Sequence, residues 1–549
     1  MTKIRKIFFA LTGRERVVFL SAAALAIVSG IILTGLGFAQ NTRVVPASGG
    51  EYTEGFLEQP IYINPVIASL VVDKSIVKLV FENIRGIAEK IETSPDGRIW
   101  NIRIKENLEW HDGERLTTDD VVFTIQKIQD PESSSPLEKI WRGVSVKRVS
   151  GLELQLSLVN ADPFFRETLN TLYVLPKHLF SEIPPANWRL SDYNLKPVGA
   201  GPYKFSSYEK KPDGFIGLYR LEQWNDYPGE KPLIGNFTLK FFSDLQGVIG
   251  DFNSGQIDGI AGLEPDAVSQ IKRPHETFSF YLPSYYAVFL NQSKSIPLKD
   301  LSVRRALSAS VGRAGLVESA LGGRGKPALG PIPAETPYFD ESISSSTESI
   351  ESLGDALDRA GWKMNDQGVR EKTIKNTKLP LELNLTVPQI TFLTKTAEVL
   401  AKTWQPLGFK ININTPGLEE IAKNTITNRD YEMLVFGNVL NKNLDLFSFW
   451  HSSGRFNPGL NLALYNNKKA DALIESIRLD SNEESRAKKL RDLQTIITSD
   501  YPAVFLYSPE YTYITTKNLQ GVSAGLVADP SDRFVDAKQW YVKTARVLK

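Results

Sequence analysis

Between Ile99 and Ile104 the chain reads IWNIRI. Trp100, Ile102 and Ile104 alternate with Asn101 and Arg103, the period-two pattern of a strand with one buried face. LELQLSL at 152–158 repeats the alternation with leucines. Elsewhere the apolar residues recur at helical spacing. TKTAEVLAKTWQPLGFKININ predicts a helix ending at Leu407-Gly408, then a strand with Phe409, Ile411 and Ile413 inward. ADALIESIRL and SRAKKLRDLQTIITSD predict two more amphipathic helices, and the Ser-rich ESISSSTESIES at 341–352 a surface loop leading into a helix. Strands interleaved with helices predict an α/β architecture.

The densest polar block is NLEWHDGERLTTDDVVFTI, from Asn107 to Ile125. Its composition suits either an active site or a turn followed by a helix start. Asp112-Gly113 is a turn dipeptide in which glycine supplies a positive φ. Thr117 is a candidate N-cap, and Asp120 three residues later closes a capping box. Asp119 and Asp120 also sit well at the positive end of the helix dipole. Val121, Val122, Ile125 and Ile128 supply the buried stripe. Adjacent residues such as His111 and Asp112 seldom converge on one atom, so the block reads as scaffold.

The first fifty residues follow another pattern. Lys3, Arg5, Lys6, Arg14 and Arg16 precede an uncharged stretch from Val17 to Gln40. Residues 17–38, as a helix, span about 33 Å, enough for the hydrocarbon core of a bilayer. The basic flank stays in the cytoplasm, so the main domain faces outward, extracellular or periplasmic. A cleaved signal peptide is the rival reading, because Gly37 and Ala39 are small where a signal peptidase prefers them. A Gly/Ser/Pro-containing tether, VVPASGGEYTEG, follows.

Composition narrows the chemistry. The 549 residues suffice for two or three domains. Lys+Arg 64 against Asp+Glu 63 points to no nucleic-acid partner. With no cysteine the chain has no disulfide framework, thiolate metal site or Cys nucleophile. Its four histidines are scattered, so no metal site and no cofactor is expected.

SPDGRIWNIRIKENLEWHDGERLTTDDVVFTI resembles the signature of the family 5 extracellular solute-binding proteins, the peptide, nickel and related receptors of ABC importers. Further blocks follow in the family's order: GFLEQPIYINPV (55–66), PVGAGPYKF (197–205), LSVRRALSASVGRAGLVESALGGRGKPALGPIP (301–333), RAGW (359–362), LDLFSFWHSSG (444–454) and PAVFLY (502–507). The resemblance covers roughly residues 50 to 545. In GAGPY the glycines are expected to allow a tight turn and Pro202 to fix φ.

The resemblance implies a two-lobed periplasmic-binding-protein-like fold of type II with an extra inserted domain, preceded by the transmembrane helix. Residues 1–47 would be the basic flank, anchor and tether. The first lobe would take 48–80, 196–283 and 511–549, the inserted domain 81–195, and the second lobe 284–510. SFYLPSYYAVFLNQ (279–292) and PAVFLYSPEYTYI (502–514) would be the crossings between lobes. Ligand would bind in the cleft, and the lobes would close on it by hinge bending.

Carried onto this chain, the family's cleft positions are Tyr62, Tyr285, Tyr286, Asn438, Asn441, Trp450, Asn461 and Tyr465. Aromatic rings offer rigid contact area with a polar tip, and Asn amides pair with both donors and acceptors of a peptide backbone. Each aromatic could equally pack a core, and each Asn could be a turn residue. One departure stands out. Related peptide receptors place an Asp for the peptide's α-ammonium where this chain has about Asn441, in FGNVLNKNLDLF. An amide cannot neutralise a buried ammonium. Capped or cyclic peptides, cell-wall fragments, oligosaccharides and other polar solutes therefore stay open as ligands, and nickel is disfavoured with His451 alone nearby.

The implied function is capture of a peptide or peptide-like solute, without covalent chemistry, for delivery to the permease subunits of an ABC transporter by a monomeric receptor. Two rivals remain. A sensor, regulator or chaperone would share the fold without transport. A serine hydrolase would use GVSAG (521–525), which fits the G-x-S-x-G elbow, yet the last histidine, His451, precedes that serine. GRGKPA (323–328) resembles a phosphate loop only weakly, because it follows a helix pattern.

Overall fold

The computed structural model describes residues 12–343, 347–440 and 444–549. The molecule is organised around one long strand, Ala503–Thr516, whose apolar AVFLY run is buried. Continuous apolar character is what a strand covered on both faces requires. Its first part pairs antiparallel with Ser284–Leu290, from Phe289↔Ala503 to Tyr286↔Tyr507. Its second part pairs with His275–Tyr281, from Tyr281↔Glu510 to His275↔Thr516. One strand thus belongs to both halves of a large mixed sheet.

In the first half the neighbours run Gly259–Ala261, Glu51–Phe56, Asn236–Phe241, Ile216–Gln223 and Tyr203–Lys210. In the second they run Ser284–Leu290, Met433–Val439, Glu382–Thr386 and Lys410–Asn414. The halves have separate apolar cores, one around Tyr52, Phe237 and Trp540, others around Leu383 and Trp404 and around Phe289 and Trp450. This is the type II periplasmic-binding-protein arrangement of two lobes joined by strands. At the outer edge Ile413, expected inward, is 39 % exposed. Its strand is the edge of the sheet, with Glu382–Thr386 as its one paired neighbour among the described residues.

The first core holds an ion pair. Arg533 Nη2 donates to Glu54 Oε1 at 2.9 Å, with side chains 2 % and 0 % exposed. Tyr52 and Tyr513 hydroxyls donate to Glu54 Oε2 at 2.7 and 2.9 Å. Burial opposes the charge of Arg533, but the Tyr511, Glu54 and Tyr513 oxygens outweigh it and raise its pKa. The hydroxyls and the Pro530 carbonyl, which accepts from Arg533 Nη1 at 2.8 Å, occupy most of the pair's hydrogen-bonding capacity, and Arg533 Nε is left without a partner among the described residues.

A separate antiparallel sheet, Ala88–Thr93, Ile99–Ile104, Glu153–Leu158 and Val144–Arg148, forms the inserted domain with helix Thr118–Gln129. IWNIRI alternates as its pattern predicts, with Trp100, Ile102 and Ile104 buried. Thr117 caps the helix: its side chain accepts from Asp119 N–H, and the Asp120 carboxylate accepts from Thr117 N–H at 2.8 Å. Val122 is only half-buried, and Phe123 takes its place in the core.

His111 ties this domain to the first lobe. Gly199 N–H donates to His111 Nδ1 at 3.2 Å, so Nε2 carries the proton and donates to the Gly201 carbonyl at 3.0 Å. Burial, more than any neighbouring charge, lowers its pKa to about 4 and keeps the ring neutral. Asp112 pairs instead with His178, at 2.8 Å. The glycines of GAGPY serve a different end from the tight turn expected of them. Neither has a positive φ, and a Cβ on Gly199 or Gly201 would lie 1.9 or 2.7 Å from the Val80 carbonyl oxygen. Close backbone approach to the end of helix Val71–Val80 is what requires them.

Helix Gly13–Asn41 is long and apolar enough to cross a membrane, with mean hydropathy 2.5 and no buried residue. Thr12 caps it, its N–H and hydroxyl both donating to Glu15 at 2.8 Å. The start of the expected tether is ordered. Thr42–Ala47 is a strand paired antiparallel with Lys543–Leu548. Val44 and Val45 favour a strand, but the partner that makes it one lies some five hundred residues away in sequence.

Candidate ligand-binding cleft

A cavity of about 430 Å³ lies between the lobes. Its floor is the crossing strand at Pro509–Thr512. The first lobe contributes Gly262–Pro265, the loop after Gly259–Ala261. The second contributes Tyr286, Phe392 and the strand end Phe436–Val439. Tyr286 and Phe392 meet edge to face at 5.4 Å, and the Tyr286 ring lies across Gly437, its cross-strand partner. A Cβ at residue 437 would approach that ring to 3.0 Å, so glycine is what lets the ring lie flat against the strand.

Three charged side chains line this largely apolar cavity: Glu264, Arg324 and Glu510. Glu510 is held in place, accepting from Ser279 Oγ at 2.7 Å and from Tyr281 OH at 3.4 Å. Among the described residues the Glu264 carboxylate and the Arg324 guanidinium have no hydrogen-bonding or ionic partner. Burial and the Glu264 charge both raise the Tyr286 pKa, so its phenol stays protonated as a donor. The Arg324 backbone is fixed, because Glu510 N–H donates to its carbonyl and Gly325 pairs with Pro509. Lys395 Nζ lies 2.9 Å from Asp266 Oδ2 across the lobes, and the Arg486 guanidinium lies 5.1 Å over Phe164 of the inserted domain.

Of the eight residues taken from the family pattern, the seven described ones fall in three places. Tyr286 and Asn438 line the cavity. Tyr285 and Trp450 lie behind this wall, fully buried; Asn438 Nδ2 and Trp450 Nε1 both donate to the Tyr285 hydroxyl, at 2.8 and 3.0 Å. Asn461 is buried too, donating to the His451 and Tyr465 carbonyls, while Tyr465 OH donates to Asp500 at 2.6 Å. Tyr62 lies against the first-lobe core with Arg189 5.8 Å over its ring, away from the cavity. Asn441 lies outside the described residues. Sequence reasoning did not single out Glu264, Glu510 or Arg324 as site residues. The one available signal was the GRGKPA segment, which contains Arg324.

Ser523 of GVSAG sits in the loop before Pro530–Phe534. The histidine rings bond elsewhere: His111 to Gly199 and Gly201, His178 to Asp112, His275 to the Arg273 carbonyl and His451 to Ser453.

Residues 83–459 match the model of the bacterial extracellular solute-binding proteins, family 5. The chain belongs to this family. Among curated relatives, this family 5 solute-binding protein is 25% identical over 512 residues to the oligopeptide-binding protein AppA of Bacillus subtilis, covering 88% of this chain and 90% of that one. It is 25% identical over 440 residues to protein XP55 of Streptomyces lividans, covering 79% and 78%. Among solved structures it resembles the ABC transporter substrate-binding protein CtaP of Listeria monocytogenes, with a TM-score of 0.77 at 22% identity over 90% of this chain and 100% of that one. The Bacillus subtilis AppA structure, in complex with a nonapeptide, aligns with a TM-score of 0.68 at 23% identity over 91% and 100%. AppA and CtaP are binding proteins.

Proposed function

We propose that this solute-binding protein captures a peptide or peptide-like solute between its lobes, closes on it, and delivers it to the permease subunits of an ABC transporter. The moving bodies are 48–80, 196–283 and 511–549 with the inserted domain 81–195, against 284–510. The helix within residues 17–38 stays attached and holds the main domain outside the membrane, its basic flank inside.

The observation that carries the reading is the pair of opposite charges, Glu264 and Arg324, without partners among the described residues, in one apolar, aromatic-walled cavity. A cleft of this size and lining holds a small-molecule-sized ligand, with its few polar groups fixing orientation. A solute with a cationic group, an anionic group and apolar side chains complements it, and a short peptide has all three. In this reading Glu264 takes the ammonium that Asn441 cannot neutralise, and Arg324 takes a carboxylate. Tyr286 and Asn438 contribute the cavity wall. Tyr285, Trp450, Asn461 and Tyr465 act behind it by holding that wall in place, and Tyr62 braces the first lobe.

Native mass spectrometry of the purified chain, followed by fragmentation of whatever is released, tests this. A ladder of short peptides is the expected result. A single non-peptide mass would keep the receptor and replace the ligand. An empty protein that gains no thermal stability from peptide mixtures would move the reading to a sensor or regulator.

A further inference from the structure

The ribbon at the foot of the molecule has an unusual charge pattern. Residues 42–47 and 543–549 contain Arg43, Lys543, Arg546 and Lys549, and no Asp or Glu. The strands pair from Thr42↔Leu548 to Ala47↔Lys543, so one end adjoins Asn41, the last residue of the apolar helix. Contacts hold the outgoing strand against that helix end. Lys549 N–H donates to the Asn41 carbonyl at 2.9 Å. Arg546 Nη1 donates to Thr42 Oγ1 at 3.1 Å, and its guanidinium lies 6.0 Å from the Phe38 ring. Among the described residues Arg43, Arg546 and Lys549 form no ion pair with an Asp or Glu side chain. Lys543, at the far end, lies against Gly49.

The ribbon also lacks apolar backing. Leu548 is 77 % exposed and Val44 56 %, and none of the strands' side chains enters a core cluster. A two-stranded ribbon with no packed face is marginal in water. A bilayer around the helix changes its surroundings. The headgroup layer adds about 5–8 Å on each side of the hydrocarbon core, and two strand residues rise about 7 Å. Counted from Asn41, Leu548, Lys549 and Arg43 then fall in that layer, Val44 and Arg546 stand at its outer edge within side-chain reach of it, and Lys543 lies above it.

We propose that this ribbon docks on the anionic phospholipid headgroups of the membrane that the helix crosses. Its guanidinium groups pair with phosphates, Lys549 reaches the same layer, and Leu548 dips toward the acyl boundary. The body is then held at a set height and orientation rather than on a loose tether. This rests on the proposal that the helix is retained as an anchor.

The test uses the full chain reconstituted in vesicles of phosphatidylcholine alone or of phosphatidylcholine with phosphatidylglycerol. Flotation with the vesicles reports on the helix; hydrogen exchange at 42–47 and 543–548 reports on the ribbon. Each cation at an anionic surface contributes about fivefold. Exchange in both strands is therefore expected to slow about tenfold or more when phosphatidylglycerol is present, and salt should reduce the difference. R43Q/R546Q/K549Q should lose the difference, and R43K/R546K, which keeps the charges, should retain most of it. Floating protein whose ribbon exchanges equally in both lipids, or a triple variant that still responds, overturns the headgroup contact alone. Protein left behind by floating vesicles overturns the anchor, and the docking with it.

Discussion

The first lobe and the cleft use the same residue types in opposite ways. Under the first-lobe sheet Glu54 and Arg533 are buried, paired at 2.9 Å and surrounded by tyrosine hydroxyls. In the cleft Glu264 and Arg324 line one cavity and have no partner among the described residues. Tyr511 connects the two regions: it lines the cavity, and its hydroxyl accepts from Arg533 Nη1 at 3.2 Å. A charge buried against its opposite sets where a wall stands. A charge on that wall with its bonds unmade is free to be completed by something that arrives.

Removing a charge from the buried pair should therefore cost the most stability. R533M leaves the Glu54 carboxylate in the core with only phenols for company, an expected loss of about 3–5 kcal/mol. Denaturant unfolding would measure it. R533M/E54L should recover much of the loss, because no charge is then left alone. A loss below about 1 kcal/mol for R533M would mean that the pair does not hold the wall.

His111 extends the comparison to a charge that is kept out. Its folded pKa is about 4, lowered from an ordinary value near 6.5 chiefly by burial. Between those values the unfolded chain binds the proton and the folded one does not, so stability falls as pH is lowered from about 6.5 to about 4. At the lower edge the loss is on the order of 3 kcal/mol, at 1.36 kcal/mol per unit. Asp73 works the other way. Burial raises its pKa to about 6, so protonation there favours the folded state over part of the same window. Unfolding curves of wild type and H111Q across that window separate the two, and H111Q should lack the acid-side loss. Identical pH profiles would remove His111 from the account.

What the sequence disclosed follows from how local each cause is. The alternation of Trp100, Ile102 and Ile104 and the Thr117–Asp120 capping box are contained within a few residues, and both appear as read. The His111 clamp joins residues 88 and 90 apart in the chain, and the Gly199 and Gly201 requirement comes from Val80. Neither partner is visible in the motif itself. Arg324 and Glu264 stand in loops, where no periodicity marks a side chain as inward. The family pattern pointed to aromatic residues around the second-lobe wall, because burial makes such residues regular. The charges that face the ligand carry no such regularity.

Testing those charges should give a smaller effect, of a different kind. E264Q and R324M should each weaken binding of the released solute about tenfold to a hundredfold, the value of a hydrogen bond to a charged group. Their unfolding free energies should stay within about 0.5 kcal/mol of wild type. Calorimetric titration and denaturant unfolding on the same preparations give both numbers. Unchanged affinity in both variants would move the ligand's polar ends elsewhere in the cleft.

The smallest effect belongs to the bridge between the lobes. Lys395 and Asp266 meet at 2.9 Å with side chains 43% and 70% exposed, a setting in which an ion pair contributes at most about 1 kcal/mol and weakens with salt. In the proposed cycle that weakness is useful. A ligand moves the open–closed equilibrium only by its differential affinity for the two forms, so a strong bridge would hold an empty receptor shut. K395A should shift the unliganded population toward open by no more than about fivefold, and K395D/D266K should restore it. Because the chain has no cysteine, one label placed in each lobe can read the interlobe distance directly. An open fraction that ignores K395A and salt alike would make the bridge incidental and leave closure to the ligand.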